Sequence, residues 1–437
     1  MMITRFDAAS DPDYMPRATL DKLQNERFMA TFTHVFNNVP WYRNRLEEHG
    51  VRPDEIQSIR DIVKLPFVIK TDLRDTYPFG MFAVPMNEIV RFHASSGTTG
   101  KPIVVSYTDG DIKIWRSVVA RALAAMGINR YDVLQNSYGY GLFTGGLGLH
   151  YGGEEHHVTV IPMGGGNTER QIMLMRDFCV TAVSCTPSYF LHLIDKGREM
   201  GVDLKTLPVR IGVFGGEPWT EEMRHKIEEE AGIKAYDIYG LTEIIGPGVG
   251  CECVCQTGSH VFEDHFYPEI IDPETLEPLP DGEQGELVFT TLTKRAMPML
   301  RYRTRDITRI INEPCKCGRT IRRIQRISHR SDDMFIIRGV NVFPGQIEAA
   351  LLGMEGTLPH YQIILTRDNG LDNIEVQVEL DSARFGDTLR EVEIFRKQLA
   401  EKIQHTIGIR VSVKLVETGV IPRSEGKAKR VLDKRTM

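Results

Sequence analysis

Residues 93–108 read HASSGTTGKPIVVSYT, and within them Ser95, Ser96, Gly97, Thr98, Thr99, Gly100 and Lys101 bring together hydroxyls, glycines and one cation. Glycine lets backbone N–H groups come close enough to cradle polyphosphate oxygens. The Walker pattern fails here: two residues separate Gly97 from Gly100, and Pro102 follows the lysine. Taken alone the cluster is a solvated turn. With hydroxyls, amides and lysine in one stretch, it predicts a nucleotide-phosphate loop of another kind.

A second constellation is soft. Cys251, Cys253 and Cys255 alternate in CECVCQTGSH, which ends at His260, and Cys315 and Cys317 follow in PCKCG. If the first run is extended, alternation puts its three cysteines on one face. Four ligands drawn from two short segments suit a closed, tetrahedral, structural Zn²⁺ site. Cys253, His260, Cys315 and Cys317 are the expected set, with Cys255 as the substitute; reduced thiols in a strand-rich region are the other reading. Such a site leaves no open position for catalysis. Cys179 and Cys185 fall in apolar runs and are expected in the core. The tail PRSEGKAKR, residues 422–430, holds Lys427 and Lys429 and on its own is merely basic and solvated.

The chain that must position these groups has 437 residues, enough for roughly two or three domains. Its 53 basic and 59 acidic side chains leave a net charge of −6, which gives no affinity for nucleic acid or an acidic membrane as a bulk partner. The start, MMITRFDAASDPDYMPRATL, lacks the apolar core of a signal peptide, and no run of 18 apolar residues occurs. A cytoplasmic setting is therefore expected, where cysteines serve as thiols or metal ligands rather than disulfides.

From about residue 89 to 330 short apolar runs alternate with helical spacing. HHVTVIPM precedes a helix expected from Glu169 to Phe178. VTAVSCTP precedes a helix at 188–200, and VRIGVFGGEPW precedes a helix capped by Thr220. Repeated units of this kind predict an α/β fold on a largely parallel sheet. Residues 250–330 read as a β-rich subdomain. After a hinge near Ser331–Asp333, the order β, α, β, β, α, β predicts a small α+β domain.

SSGTTGKP resembles the phosphate loop of the adenylate-forming superfamily of acyl- and aryl-CoA synthetases. That family's other motifs follow in order: GGEP at 215–218, YGLTE at 239–243, YRTRD at 302–306, HRSDD at 329–333 and PRSEGKAKR at 422–430. Within the superfamily, YGYGLFTGGLGLHYG, IIGPGVG, LTKRAMPMLRYRTRD and SDDMFIIRGVNVFPGQIE are similar to the phenylacetate–CoA ligase family.

The resemblance implies a large N-terminal adenylating domain over residues 1–331 and a mobile lid domain over 332–437. It implies ATP, Mg²⁺ and coenzyme A as reactants and cofactors, and a homodimer. Ser95, Ser96, Gly97, Thr98, Thr99, Gly100 and Lys101 would hold the β/γ-phosphates. Glu243 would be the Mg²⁺ ligand, with Thr242 near the α-phosphate. Asp306 would accept from the ribose hydroxyls beside Arg330. Gly216, Glu217, Pro218, Asp237, Tyr239 and Gly240 would line the nucleotide. Lys427 would stabilise charge during adenylation, with Lys429 as local runner-up. Asp332 would be the hinge, with Asp333 next to it.

Tyr138, Tyr140 and Phe143 in SYGYGLFTGG suit a flat, apolar acid; ordinary core packing is the other reading. Gly216 stands where the family usually has alanine, and one methyl less at a pocket wall admits a larger ring. An adenylating enzyme that passes its acyl or AMP group to a non-CoA acceptor would share nearly all these residues. A zinc-ribbon nucleic-acid binder is opposed by the charge and by the cysteine spacing, and an inactive scaffold by the intact motifs.

Overall fold

The computed structural model describes residues 8–95, 102–327, 329–338, 340–354, 356–368, 371–380, 389–423 and 428–435. Ser96, Gly97, Thr98, Thr99, Gly100, Lys101 and Lys427 lie outside the described residues.

Apolar runs bounded by turn residues form the parallel side of a nine-stranded sheet. Strands Thr159–Ile161, Val133–Asn136, Ala182–Cys185, Ile211–Phe214 and Lys234–Leu241 lie side by side and parallel. All four residues of Ala182–Cys185 and of Ile211–Phe214 are buried, as strands covered on both faces must be. Between them run helices Thr168–Asp177, Pro187–Glu199 and Glu221–Ala231. Thr186 and Thr220 cap the second and third by accepting from Tyr189 N and Met223 N.

Beyond Lys234–Leu241 the sheet turns antiparallel, through Gly246–Glu252, Ser259–Val261, Arg323–Ile324 and Ile310–Ile311. The residues expected as a β-rich subdomain therefore divide between two sheets. These strands extend the large sheet, while Phe266–Ile271, Gly285–Thr291, Tyr302–Thr308 and His329–Arg330 form a separate four-stranded one. A short hairpin, Ile89–Ser95 with Ile103–Thr108, pairs Ser95 with Ile103.

The C-terminal part builds its own core. Strands Ser412–Val416, Leu371–Leu380, Thr357–Asp368 and Val431–Asp433 form one sheet in that order. Helices Pro344–Leu352 and Leu389–Ile407 pack on it around Ile347, Leu351, Ile363, Val376, Leu399 and Ile403. Among the described residues, no helix is long and apolar enough to cross a membrane.

Candidate functional site

The parallel strands end on one rim, and the chemistry-bearing residues follow those ends directly. Tyr138 comes after Val133–Asn136, Thr186 after Ala182–Cys185, Gly216 after Ile211–Phe214, and Thr242 and Glu243 after Lys234–Leu241. Ligands of open α/β sheets bind at such carboxyl ends. The hairpin that flanks the 96–101 segment is tied to the same rim: Ala94 N donates to Leu142 O at 2.9 Å, and His93 Nδ1 lies 3.0 Å from the same oxygen.

Tyr239, Asp306, Arg330 and Asp332 form one chain of hydrogen bonds. Tyr239 OH donates to Asp306 Oδ2 at 2.6 Å, and Arg330 Nη1 donates to Asp306 Oδ1 at 2.9 Å. Arg330 also grips Asp332 through Nε at 2.9 Å and Nη2 at 3.0 Å. Burial raises the Asp306 carboxyl above its usual range, against the opposing pull of Arg330 and Tyr239. The strand register makes this meeting inevitable, because Asp306 and Arg330 are direct cross-strand partners.

Glu243 is 5 % exposed and Thr242 8 %. Thr242 Oγ1 lies 3.3 Å from Thr144 Oγ1, and Lys294 Nζ donates to the Glu243 carbonyl at 3.3 Å. Lys294, which sequence reasoning missed, is buried over the Tyr107 ring; burial lowers its ammonium to about 8 despite Asp111 and Glu243. Gly240 is required by packing: a Cβ there would sit 1.9 Å from Gly246 O.

Gly216, with φ of +82°, faces the aromatic pair. A Cβ on it would meet Phe143 Cζ, Tyr138 Cε1 and Thr186 Cγ2, each at 3.8 Å. Tyr138 OH donates to Gly215 O at 3.0 Å, and its ring is tilted 6.3 Å from that of Phe143. Tyr140 stands apart, accepting from Asn136 Nδ2 at 2.8 Å and lying 3.2 Å from His150 Nδ1. Pro218 is exposed. Glu217 accepts from Ser188 N at 2.8 Å and Ala428 N at 3.0 Å. Asp237, expected beside the nucleotide, accepts from Trp219 Nε1 at 2.7 Å. Its neighbourhood also contains the buried Arg224–Glu252 pair, which nothing in the local sequence announces.

The soft ligands gather elsewhere. Cys253, His260, Cys315 and Cys317 are all buried, and their ligand atoms lie within 4.8 Å of one another. Cys253 and Cys315 sulfurs are 3.6 Å apart, and Cys317 Sγ is 3.4 Å from His260 Nε2. A tetrahedral ion with Zn–S near 2.3 Å needs sulfurs about 3.7 Å apart, so the residues fit Zn²⁺. Ile321 O lies 3.4 Å from His260 Nδ1, which orients the other ring nitrogen toward the sulfurs. Hydrogen bonding from Cys253 holds the Cys315 and Cys317 thiols below their ordinary range, with His260 adding to the effect.

Two cysteine expectations fail. The alternating run is not extended throughout: its strand ends at Glu252, so Cys251 stays in the sheet while Cys253 leaves it. Cys255 is half-buried beside the set but outside it. Cys185 is buried, but Cys179, at φ of +50° after helix Thr168–Asp177, is exposed rather than core.

Residues 81–293 match the family described as AMP-binding enzyme, and residues 339–435 match the AMP-binding enzyme C-terminal domain. The chain is 50 % identical over 435 residues to a phenylacetate-coenzyme A ligase of Thermus thermophilus, covering 96 % of this chain and 98 % of that one. It is 52 % identical over 429 residues to the Pseudomonas putida protein of that name, covering 97 % of each. In structure it resembles 2-hydroxyisobutyryl-CoA ligase at 30 % identity. The TM-score is 0.93 against the postadenylation state, covering 99 % of this chain and 94 % of that one. Against the thioesterification state with CoA it is 0.73, covering 100 % and 95 %.

Proposed function

The chain belongs to the phenylacetate–coenzyme A ligase family of AMP-binding enzymes, and from that premise we propose that it activates phenylacetate or a close aryl analogue with ATP and transfers the acyl group to coenzyme A. The observation that carries this reading is the near-full-length match, at 50–52 % identity, to ligases of that name. Those relatives disfavour a non-CoA acceptor.

In the first half-reaction a carboxylate oxygen of the acid forms a bond to the α-phosphorus of ATP as the bond to pyrophosphate breaks. In the second, the sulfur of coenzyme A bonds the acyl carbon, AMP departs with the bonding electrons, and the thiol proton is lost. The Tyr239–Asp306–Arg330 network supports Asp306 as acceptor for the ribose hydroxyls, since both of its oxygens face a single chain of donors. Ser95 and residues Ser96 to Lys101 are assigned the β/γ-phosphates, and Thr242 the α-phosphate. Lys427 is assigned to the oxygens that gain charge during adenylation.

Glu243 offers a single hard carboxylate, which suits Mg²⁺ carried largely by substrate phosphates. When bound, that ion neutralises phosphate charge. Tyr138, Phe143 and Gly216 form the wall assigned to the aryl ring. We assign Cys253, His260, Cys315 and Cys317 to a structural Zn²⁺ and place the domain boundary between residues 331 and 332. The setting is the cytoplasm, and the homodimer implied by family resemblance is measured by light scattering.

The test is AMP release with Mg-ATP and coenzyme A across phenylacetate, hydroxyphenylacetates, benzoates and short fatty acids. Release that requires an aryl acid and coenzyme A is expected; release with no dependence on coenzyme A would overturn the acceptor. Lys427→Ala should abolish adenylation while preformed acyl-adenylate still reacts with coenzyme A. Equal loss of both half-reactions would sink the role given to Lys427.

A further inference from the structure

The turn after strand Ile211–Phe214 carries one carboxylate with two backbone partners. Glu217 Oε1 accepts from Ser188 N and Oε2 from Ala428 N. Ser188 lies in the first turn of helix Pro187–Glu199, where amide N–H groups have no acceptor within the helix. Ala428 belongs to the C-terminal domain and directly follows Lys427. Consecutive Cα atoms are about 3.8 Å apart, so an anchor at Ala428 acts one residue from Lys427 in the chain.

Other contacts cross the same joint at positions remote from that lysine in the chain. His360 Nε2 meets Asp195 Oδ2 at 2.7 Å, and Lys226 Nζ donates to Thr357 O at 3.3 Å. Leu352 packs against the apolar cluster around Leu193 and Ile227. Only Glu217, among these, reaches the residue beside Lys427. The geometry also explains the residue type. Two N–H donors need two acceptor oxygens, and a charged carboxylate makes both bonds stronger than neutral ones. A glutamine would present one oxygen and turn an NH₂ toward a second donor.

This arrangement of domains is the one closer to the postadenylation state of 2-hydroxyisobutyryl-CoA ligase than to its thioesterification state. We propose that Glu217 is a positioning residue that registers the C-terminal domain for adenylation, and that its bond to the Ala428 N–H is released for thioester formation. The inference rests on the ligase reading above. It separates Glu217 from the nucleotide wall expected of GGEP: a wall residue acts on nucleotide affinity, whereas a positioning residue acts on the rate of one half-reaction.

The experiment uses the full chain as wild type, Glu217→Gln, Ala428→Pro and the double variant. Proline at 428 removes the same N–H from the other side of the joint, so it tests the bond even if the Glu217 variant fails to fold. Single-turnover adenylation is measured with phenylacetate and varied Mg-ATP, and thioester formation with preformed phenylacetyl-adenylate and coenzyme A. Each single variant should slow adenylation at saturating ATP by about 10- to 100-fold, the scale of a small misplacement of a catalytic group. The KM for ATP should stay within about twofold, and thioester formation should match or exceed wild type. The double variant should be no slower than the slower single, since both remove one bond. A loss confined to the KM for ATP, an equal loss in both half-reactions, or multiplying effects would overturn the proposal. Wild type that adenylates no aryl acid would instead remove the ligase reading on which it rests.

Discussion

At the antiparallel side of the large sheet, charges are buried and doubly held; at the joint between the domains, they are partly wet. Arg121, with 1 % of its side chain exposed, binds Asp13 at 2.6 Å and Asp264 at 2.9 Å, and Arg319 adds a second bond to Asp13 at 2.9 Å. Its guanidinium also lies 4.4 Å over the Phe262 ring. Across the joint, the Asp195–His360 pair leaves 26 % of the aspartate exposed. Removing one partner of a buried pair costs about 3–5 kcal/mol, whereas an exposed pair is worth roughly 1 kcal/mol or less. The first region locks segment 8–15 and the cysteine cluster onto the sheet. The second can let go at little cost, which a domain serving two half-reactions requires.

Zinc removal is the strongest way to break this contrast. Structural zinc contributes on the order of 10 kcal/mol in small domains. Elemental analysis should find about one zinc per chain, and a strong chelator or Cys315→Ser should lower the melting temperature by roughly 10 °C or more. Metal-free protein with an unchanged melt would refute the site. Next comes Asp13→Ala, which strips a partner from both Arg121 and Arg319 and should cost about 3–5 kcal/mol in denaturant melts. The sign with pH follows from Asp264. Burial pushes its carboxyl up, but His265 and Arg121 outweigh burial and hold it far below the usual range. Its contribution is therefore complete above roughly pH 4 and is lost as pH falls below that. A stability that rose on acidification from pH 4 to pH 3 would contradict the cluster.

At the rim, Gly216→Ala sharpens the comparison by changing selectivity more than stability. The positive φ costs a non-glycine residue about 1 kcal/mol, and the new methyl reaches ordinary contact with Tyr138 and Phe143. Ring-substituted phenylacetates should lose kcat/KM relative to phenylacetate by about 10- to 100-fold, the worth of one methyl in a pocket. An unchanged ratio across the acid panel would mean that the aryl ring lies elsewhere.

These two regions were unequally legible in the sequence. The parallel strands read directly, because fully buried strands are apolar runs and their turns carry Gly, Pro and capping Thr. Family resemblance likewise pointed to Asp306 and Arg330, and pairing in one register then brought them together. The buried anchor was silent: Asp13, Arg121 and Asp264 are 108 and 143 residues apart, and each looks like any surface charge until the sheet closes. The same holds for Lys294, which sits within the family-like stretch LTKRAMPMLRYRTRD but shows its burial over Tyr107 and near Asp111 only in the fold. The cysteines show the limit of periodicity. Alternation treats Cys251 and Cys253 alike, but the strand ends between them, and the return strand Ser259–Val261 and the Cys315–Gly318 turn complete the cluster. Cys179 failed for a local reason, because a left-handed turn after its helix points it outward. Asp237 has a partner that only the tertiary structure shows: the nearby Trp219 indole donates to its carboxylate.

The smallest expected effect tests the weaker half of the comparison. Asp195→Asn keeps the shape of the joint and removes the charge that faces His360. Burial opposes the Asp195 charge, yet the His360 hydrogen bond prevails and keeps the carboxyl below its usual range. The pair's contribution is thus present above about pH 4 and weakens as the carboxylate protonates below it. With a quarter of the aspartate exposed, the loss should be roughly 1 kcal/mol or less, or at most about a fivefold slowing of adenylation at pH 7, with global melting unchanged. Thioester formation from preformed adenylate should hold steady or quicken, because the adenylation arrangement is the one that loses a contact. A slowing of thioester formation, or a melting temperature as depressed as that of Asp13→Ala, would show that the joint is built like the anchor and does not exchange.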